Sequence, residues 1–420
     1  MRGVYFVAKR LANLLRRYRL SPAQAITRID SCVDALISQG CRPTFPTPGL
    51  VVERYPKYFR NLQDRGGEIA VHSYQHKDLG ILPVPEAHQQ LVRAVRVFKR
   101  IGIEAHGFRC PYLGFSDELL DTIPEGLFEY GSNKSILWDV GPLNADQNRT
   151  SLVDTLRSLY KPKPSSETIS VPWSRPHYLE IPICLPDDMT LVDGYGYDSQ
   201  KIAQAWIRIL DNTYRRGELF NLIFHPELIN PCARALMELI GRAKQKNPGV
   251  WIARLSDISG WWREKSGFKM EIVPSSHGIR LVFKCTPRAT ILLKGLEPDG
   301  SRNVWDGTYI RLLARTLDVP SSPRPFVGLS SEVPEKIIRF LQEQGYVLDV
   351  GQTAPLCGIY LDEARLSSLA SETQLIDFIE SHSGPLVRFW RWPNGAKSAM
   401  SITGDLDALS LLDYFLRLFI

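Results

Sequence analysis

Residues 67–79 read GEIAVHSYQHKDL, and this stretch decides the fold. Glu68-Ile-Ala-Val-His72 is a short apolar run behind Gly66-Gly67, the pattern of a buried strand. His72 and His76 stand four residues apart directly after it. At that spacing, on one helical turn or a tight loop, both imidazoles can face one metal ion. Two loop histidines without a metal would give the same pattern, so the context has to decide.

Working outward, strands alternate with helices. Helical spacing predicts a helix before Ser21-Pro22 and another ending at Gly40, then helices at 50–65, 85–101 and 117–122. Further helices are expected at 199–215, 232–245 and 255–265. Arg42–Gly49 and Gly107–Tyr112 each read as a short strand running into a loop, and further strands are expected at Leu127–Tyr130, Tyr178–Ile183, Leu219–Phe224 and Val250–Ala253. This alternation predicts an α/β architecture around a mostly parallel sheet or barrel. After about 266 the rhythm changes. Lys269–Val273, Ile279–Phe283 and Thr290–Lys294 read as a small antiparallel unit, followed by a helix at 333–345 and the strand Gly358–Leu361. Pro320–Pro325 reads as a linker. Lys397–Thr403 is a last buried strand, running into Asp405-Leu-Asp407 and a terminal helix.

Of 420 residues, 44% are apolar and 23% charged, which excludes disorder, collagen and coiled coil. The net charge of +6 is mild, and the basic run Lys9-Arg10 to Arg16–Arg19 reads as a solvated helix face. No Lys/Arg stripe with interleaved aromatics follows, so nucleic acid is not expected as a partner. Seven cysteines, an odd number without C-x-x-C, suggest reduced thiols and a cytoplasmic protein. No apolar stretch approaches the roughly 20 residues of a transmembrane span, and no signal peptide is read at the start.

The stretch 67–79 closely resembles the second motif of the polysaccharide deacetylase family (NodB-homology, carbohydrate esterase family 4-like). Gly107-Phe-Arg-Cys-Pro-Tyr112 looks like its third motif, and Leu222-Ile-Phe-His225-Pro resembles its fifth. Three motifs in family order, all on strand-to-helix boundaries, are more specific than any one of them. The resemblance covers about 40–265 and implies an irregular (β/α) barrel with its site at the C-terminal ends of the strands. The family's acidic first motif, a strand end, should precede Thr44, but the only Asp residues before it are Asp30 and Asp34, in a helical pattern. Either this is an inactive relative or the acids come from elsewhere. Ser401-Ile-Thr-Gly-Asp405-Leu-Asp407 resembles a D-x-D form of that motif. This suggests a circularly permuted barrel: residues 1–265, an inserted mixed α/β unit at 266–384, and 385–420 returning to complete it. The alternatives are that the two acids merely cap the last helix, or that they serve a second chain in a homodimer.

By this resemblance Asp407, His72 and His76 would hold a divalent metal, Zn²⁺ being the first choice for two imidazoles and a carboxylate. Asp405 would be the base, Arg109 would keep it ionised, and His225 would protonate the leaving amine. A backbone N–H near Tyr112 would bind the oxyanion. Tyr112, Trp138, Asp187 and Asp188 fall where the family has cleft residues, with Trp138 able to stack on a sugar; packing and strand-end roles compete for these positions. His88, His106, His177, His277 and His382 are read as structural, and Trp390 and Trp392 as packing between the two units. The expected activity is metal-dependent hydrolysis of an N-acetyl group on a sugar or polysaccharide precursor. The rivals are a non-catalytic carbohydrate-binding relative and a hydrolase of a non-sugar amide.

Overall fold

The computed structural model describes residues 18, 20–140, 158, 160–276, 278–297 and 303–419. The basic run up to residue 19 (Tyr18 apart), the first expected helix and His277 lie outside the described residues.

The first eleven strands are β1 (Thr44–Thr47), β2 (Glu68–Val71), β3 (Gly107–Phe108), β4 (Tyr130–Gly131), β5 (Ser135–Leu137), β6 (Lys163–Pro164), β7 (Trp173–Ser174), β8 (Leu179–Glu180), β9 (Ile183–Leu185), β10 (Leu219–Phe224) and β11 (Val250–Ile252). Helices between them supply the amphipathic cover. In Val84–Ile101, Ala87, Leu91, Ala94, Val97 and Phe98 form the buried stripe. Gly102 ends that helix in the left-handed conformation, at φ 79°. Every residue of β10 is buried, as expected of a central parallel strand covered on both faces.

Nine strands follow: β12 (Lys269–Ser275), β13 (Gly278–Lys284), β14 (Ile291–Lys294), β15 (Ile310–Leu312), β16 (Thr316–Val319), β17 (Arg324–Leu329), β18 (Leu348–Val350), β19 (Cys357–Leu361) and β20 (Leu386–Phe389). They form three small sheets, ordered β12-β13-β16, β15-β14-β20 and β18-β17-β19. The last strand, β21 (Ser398–Gly404), returns to the first set.

The large sheet has twelve strands in the order β6-β5-β9-β10-β21-β1-β2-β3-β4-β8-β7, with β11 also on β21. Its pairings are parallel except β7 with β8. The fold is thus an irregular, curled (β/α) barrel, carrying a smaller mixed α/β unit between β11 and β21. One core fills the space between sheet and helices; a second joins Trp261 and Trp262 of the barrel to Leu375, Ile379, Trp390 and Trp392.

Several sequence expectations shift. The helix expected over 50–65 is two helices, Gly49–Arg54 and Pro56–Asp64, because Pro56 interrupts the run. Thr290–Lys294 does not join β12 and β13; β14 pairs with β15 and β20. The expected linker is a tight connection, since β17 already begins at Arg324. Leu386–Phe389, read with the returning segment, hydrogen-bonds into the inserted unit on β14. No described helix is long and apolar enough to cross a membrane, and all seven cysteines are free.

Candidate functional site

His72, Arg109, Asp188, His225 and Asp405 each follow the end of a strand: β2, β3, β9, β10 and β21. These strands run parallel, so their following loops gather at one end of the sheet. β21 sits between β10 and β1: Leu219–Phe224 pair with Ala399–Gly404, and Thr44 pairs with Thr403. The ladder continues past the strand on both edges. Asp405 N–H donates to the Phe224 carbonyl (3.0 Å), and Leu406 N–H to that of Pro46 (2.9 Å). Backbone pairing therefore aims the D-x-D segment before any side-chain contact is counted.

The His72–His76 loop is held just as firmly. Ser73 and His76 adopt left-handed backbone angles, φ 58° and 57°, which cost non-glycine residues of order 1 kcal/mol or more each. The N–H groups of Gly49 and Leu50 offset this by donating to the carbonyls of Ser73 (3.0 Å) and Tyr74 (2.9 Å). Gly49 makes the approach possible: a Cβ there would lie 2.9 Å from the Tyr74 ring and 3.0 Å from the Ala94 backbone.

His72 Nδ1–H donates to the Arg109 carbonyl (2.9 Å), which leaves Nε2 with a lone pair. Burial pushes its pKa down to about 4, so the ring is neutral near pH 7. Asp407 Oδ1 lies 2.9 Å from His76 Nε2 and 3.6 Å from His72 Nε2. Yet this carboxylate oxygen is buried without an aligned hydrogen bond. A buried carboxylate oxygen set between two imidazole nitrogens is costly without a cation. It suits a cation at the common point, and the three ligand atoms lie within 4.8 Å of one another. Two imidazoles and one carboxylate are a zinc-type donor set with room for water. At His76, an N–H of Arg417 donates to Nδ1 (3.0 Å). A guanidinium only donates, so Nδ1 accepts and Nε2 carries the proton in this arrangement; with a metal at Nε2 the proton would sit on Nδ1 instead, and this bond would be lost.

Asp405 Oδ1 accepts from Arg109 at 2.6 Å, and its Oδ2 lies 3.9 Å from His72 Nε2. Arg109 is wholly buried and also donates to Thr403 Oγ1 (3.0 Å) and to the carbonyl and Oγ of Ser132 (3.1 Å each). Those four bonds fix the guanidinium, and through it the carboxylate.

Asp188 is not a cleft residue. Its Oδ1 takes the His225 Nδ1–H (2.8 Å) and its Oδ2 the His225 backbone N–H (2.7 Å). The imidazole is thereby oriented with Nε2 left over. Burial opposes charge on His225, but Asp188 first, then Glu227 and Asp407, outweigh it and hold its pKa well above the usual range. Asp187 does line the site cavity, although its Oδ1 is engaged by the Thr190 backbone N–H (2.9 Å). Burial, and then Asp188, raise the Asp187 pKa. Trp138 departs from expectation: it is buried, lines an adjoining cavity with Leu137 and Val140, and has the Arg216 guanidinium 5.3 Å from its ring centre. Tyr112 lies at the mouth, half-exposed at φ 59°, its ring edge-on to His76 with centroids 4.7 Å apart.

The cavity measures about 310 Å³ and contains His72, His76, His225, Asp405 and Asp407. Its wall also includes Tyr18, Tyr414 and Arg417, which the sequence reading left out. The available signal was helical spacing: Tyr414 and Arg417 are three residues apart on the terminal helix, hence on one face.

Residues 26–125 match the polysaccharide deacetylase family. The peptidoglycan-N-acetylmuramic acid deacetylase PdaC of Bacillus subtilis (strain 168) is 30% identical over 124 residues, 29% of this chain. The chain thus spans only 25% of the length of this curated relative. Among solved structures, the probable polysaccharide deacetylase of Pseudomonas aeruginosa PAO1 is similar at 19% identity and TM-score 0.44, over 57% of this chain and 72% of that one. The PuuE allantoinase is similar at 18% identity and TM-score 0.42, over the same shares. The stretch that carries the paired histidines, within residues 26–125, is thus the part of the chain that matches the polysaccharide deacetylase family.

Proposed function

We propose that this protein is a metal-dependent deacetylase, hydrolysing an N-acetyl group on a sugar of a polysaccharide or its precursor. One observation carries the reading: Asp405 and Asp407, about 330 residues downstream of the histidines in sequence, stand beside them at the strand ends, with Asp407 Oδ1 2.9 Å from His76 Nε2. We read the barrel accordingly as circularly permuted, the segment 385–420 supplying in the same chain the acids that the strand ending at Thr47 lacks.

His72, His76 and Asp407 would hold the ion, most suitably zinc. When bound, such an ion acts as a Lewis acid and makes water acidic enough to attack near neutral pH. Asp405 is the base, taking the proton of the attacking water on Oδ2 while Arg109 grips Oδ1. The acetyl carbonyl oxygen finds its protein donor in the backbone near Tyr112. His225, oriented and kept protonated by Asp188, gives the Nε2 proton to the amine as the C–N bond breaks.

Acetate release from N-acetylated oligosaccharides by zinc-supplemented protein tests this. His225→Ala should lower turnover about 10²–10⁴-fold with the metal retained. Unchanged turnover would remove His225 from the mechanism. Hydrolysis confined to non-sugar amides would overturn the substrate class.

A further inference from the structure

Arg417 is a charged residue of the site without a use in this mechanism. It lies on the terminal helix Leu411–Phe419, is nine-tenths buried, and lines the same 310 Å³ cavity as the histidines and carboxylates. A guanidinium that deep is normally paired with a carboxylate. Among the described residues none lies within 4.0 Å of it; its bonds go from Nε to the Tyr414 carbonyl (3.1 Å) and from Nη1 to His76 Nδ1 (3.0 Å). The second of these is conditional. A histidine that gives Nε2 to a metal keeps its proton on Nδ1, and then offers Arg417 nothing to donate to. With a metal on His76, Nη1 would lose this partner, and among the described residues no hydrogen bond engages Nη2, so the guanidinium of this cavity-lining residue would have donors to spare.

The wall around them suits a sugar. Arg417 stacks at 3.7 Å on the Tyr414 ring, which packs against Tyr18, and Tyr112 closes the other side. The volume is at the small end of ligand pockets and takes about one sugar unit. A group reaching Arg417 must then sit on the sugar that bears the acetamide, or on its immediate neighbour.

We propose that Arg417 forms an anion subsite in this cavity, and that the preferred substrate carries a carboxylate on or directly beside the N-acetylated sugar. The planar, fixed fork of a guanidinium matches a carboxylate through two parallel hydrogen bonds. This subsite rests on the deacetylase reading for its substrate, but not for its ability to bind an acid.

The test compares two matched disaccharides of N-acetylglucosamine, one with glucuronic acid and one with glucose as the neighbour, on zinc-loaded protein. Calorimetric binding should favour the acidic sugar at least about tenfold, as expected of a buried charge-assisted pair. Arg417→Gln should bring the ratio of the two affinities, and of the two kcat/KM values, close to one, and Arg417→Lys should restore part of it. Equal binding by wild type would overturn the subsite. So would Arg417→Gln weakening both sugars alike, the mark of a merely structural role, or a preference for a 6-phosphorylated sugar over the carboxylated one. If the acidic sugar binds through Arg417 but neither disaccharide is hydrolysed, the deacetylase reading fails and the subsite stands. If both are hydrolysed with equal efficiency, the reading stands and the subsite fails.

Discussion

Asp188 holds His225 by two bonds of 2.7 and 2.8 Å, and so couples a buried carboxylate to the proposed acid. The sign of its effect follows from charge. His225 works as an acid only while protonated, and its raised pKa carries the protonated form to higher pH. Asp188→Asn removes the anion, so the basic limb of the kcat/KM profile should move to lower pH. Turnover at pH 8 should fall about tenfold or more, with the metal content unchanged. A basic limb that stays in place would show that another group sets it. At this scale the sequence was informative where a motif ties residue type to position, as at His72, His76, Arg109 and His225. It offered Asp188 only as a cleft residue and did not single out Arg417. Strand-end acids look alike in sequence whether they face substrate or a histidine, and a basic residue late on a helix ordinarily answers the helix dipole.

The decisive element is β21. Its apolar run was legible as a strand, and its terminal acids as candidates. Its place between β10 and β1 was inferred from what the Thr44 strand lacks rather than read from periodicity. Register and partner of a parallel strand depend on distant segments, which is also why the pairing of Thr290–Lys294 was missed. The histidine loop depends on another element, the start of the helix Gly49–Arg54. Gly49→Ala should push Tyr74 and Ala94 apart at a cost of about 1–3 kcal/mol, the range for overpacking. Because the Gly49 N–H anchors Ser73, this variant should also bind zinc more weakly. Chemical denaturation and zinc competition read the two effects; unchanged values of both would mean that the loop does not depend on this approach.

Across the whole molecule, the inserted unit is welded to the barrel by tryptophans. Trp392 is fully buried, donates to the Gly217 carbonyl (2.9 Å), and shares its core with Trp261 and Trp262. Trp392→Ala should cost about 3–5 kcal/mol, read from the denaturation midpoint, and should reach the site through the β20–β21 connection. A loss under about 1 kcal/mol would mean that the two units are only loosely joined. Barrel and insertion were both legible as a change of rhythm near residue 266. The boundary at 385 was less so, because β20 and β21 are both apolar strands and only hydrogen bonding assigns them to different sheets. Tyr18 and Tyr414, far apart in sequence, pack with ring centroids 5.5 Å apart, and Arg54 bonds Asp413 at 2.7 Å, so the terminal helix is anchored on the N-terminal half of the barrel.

The central claim is that acids at the end of β21 complete a metal site begun at the end of β2. Elemental mass spectrometry of wild type beside Asp407→Ala tests it most directly. Wild type should hold about one divalent ion per chain and the variant should lose it, with the fold intact by circular dichroism. A metal-free wild type, or a variant that keeps its ion, would contradict it.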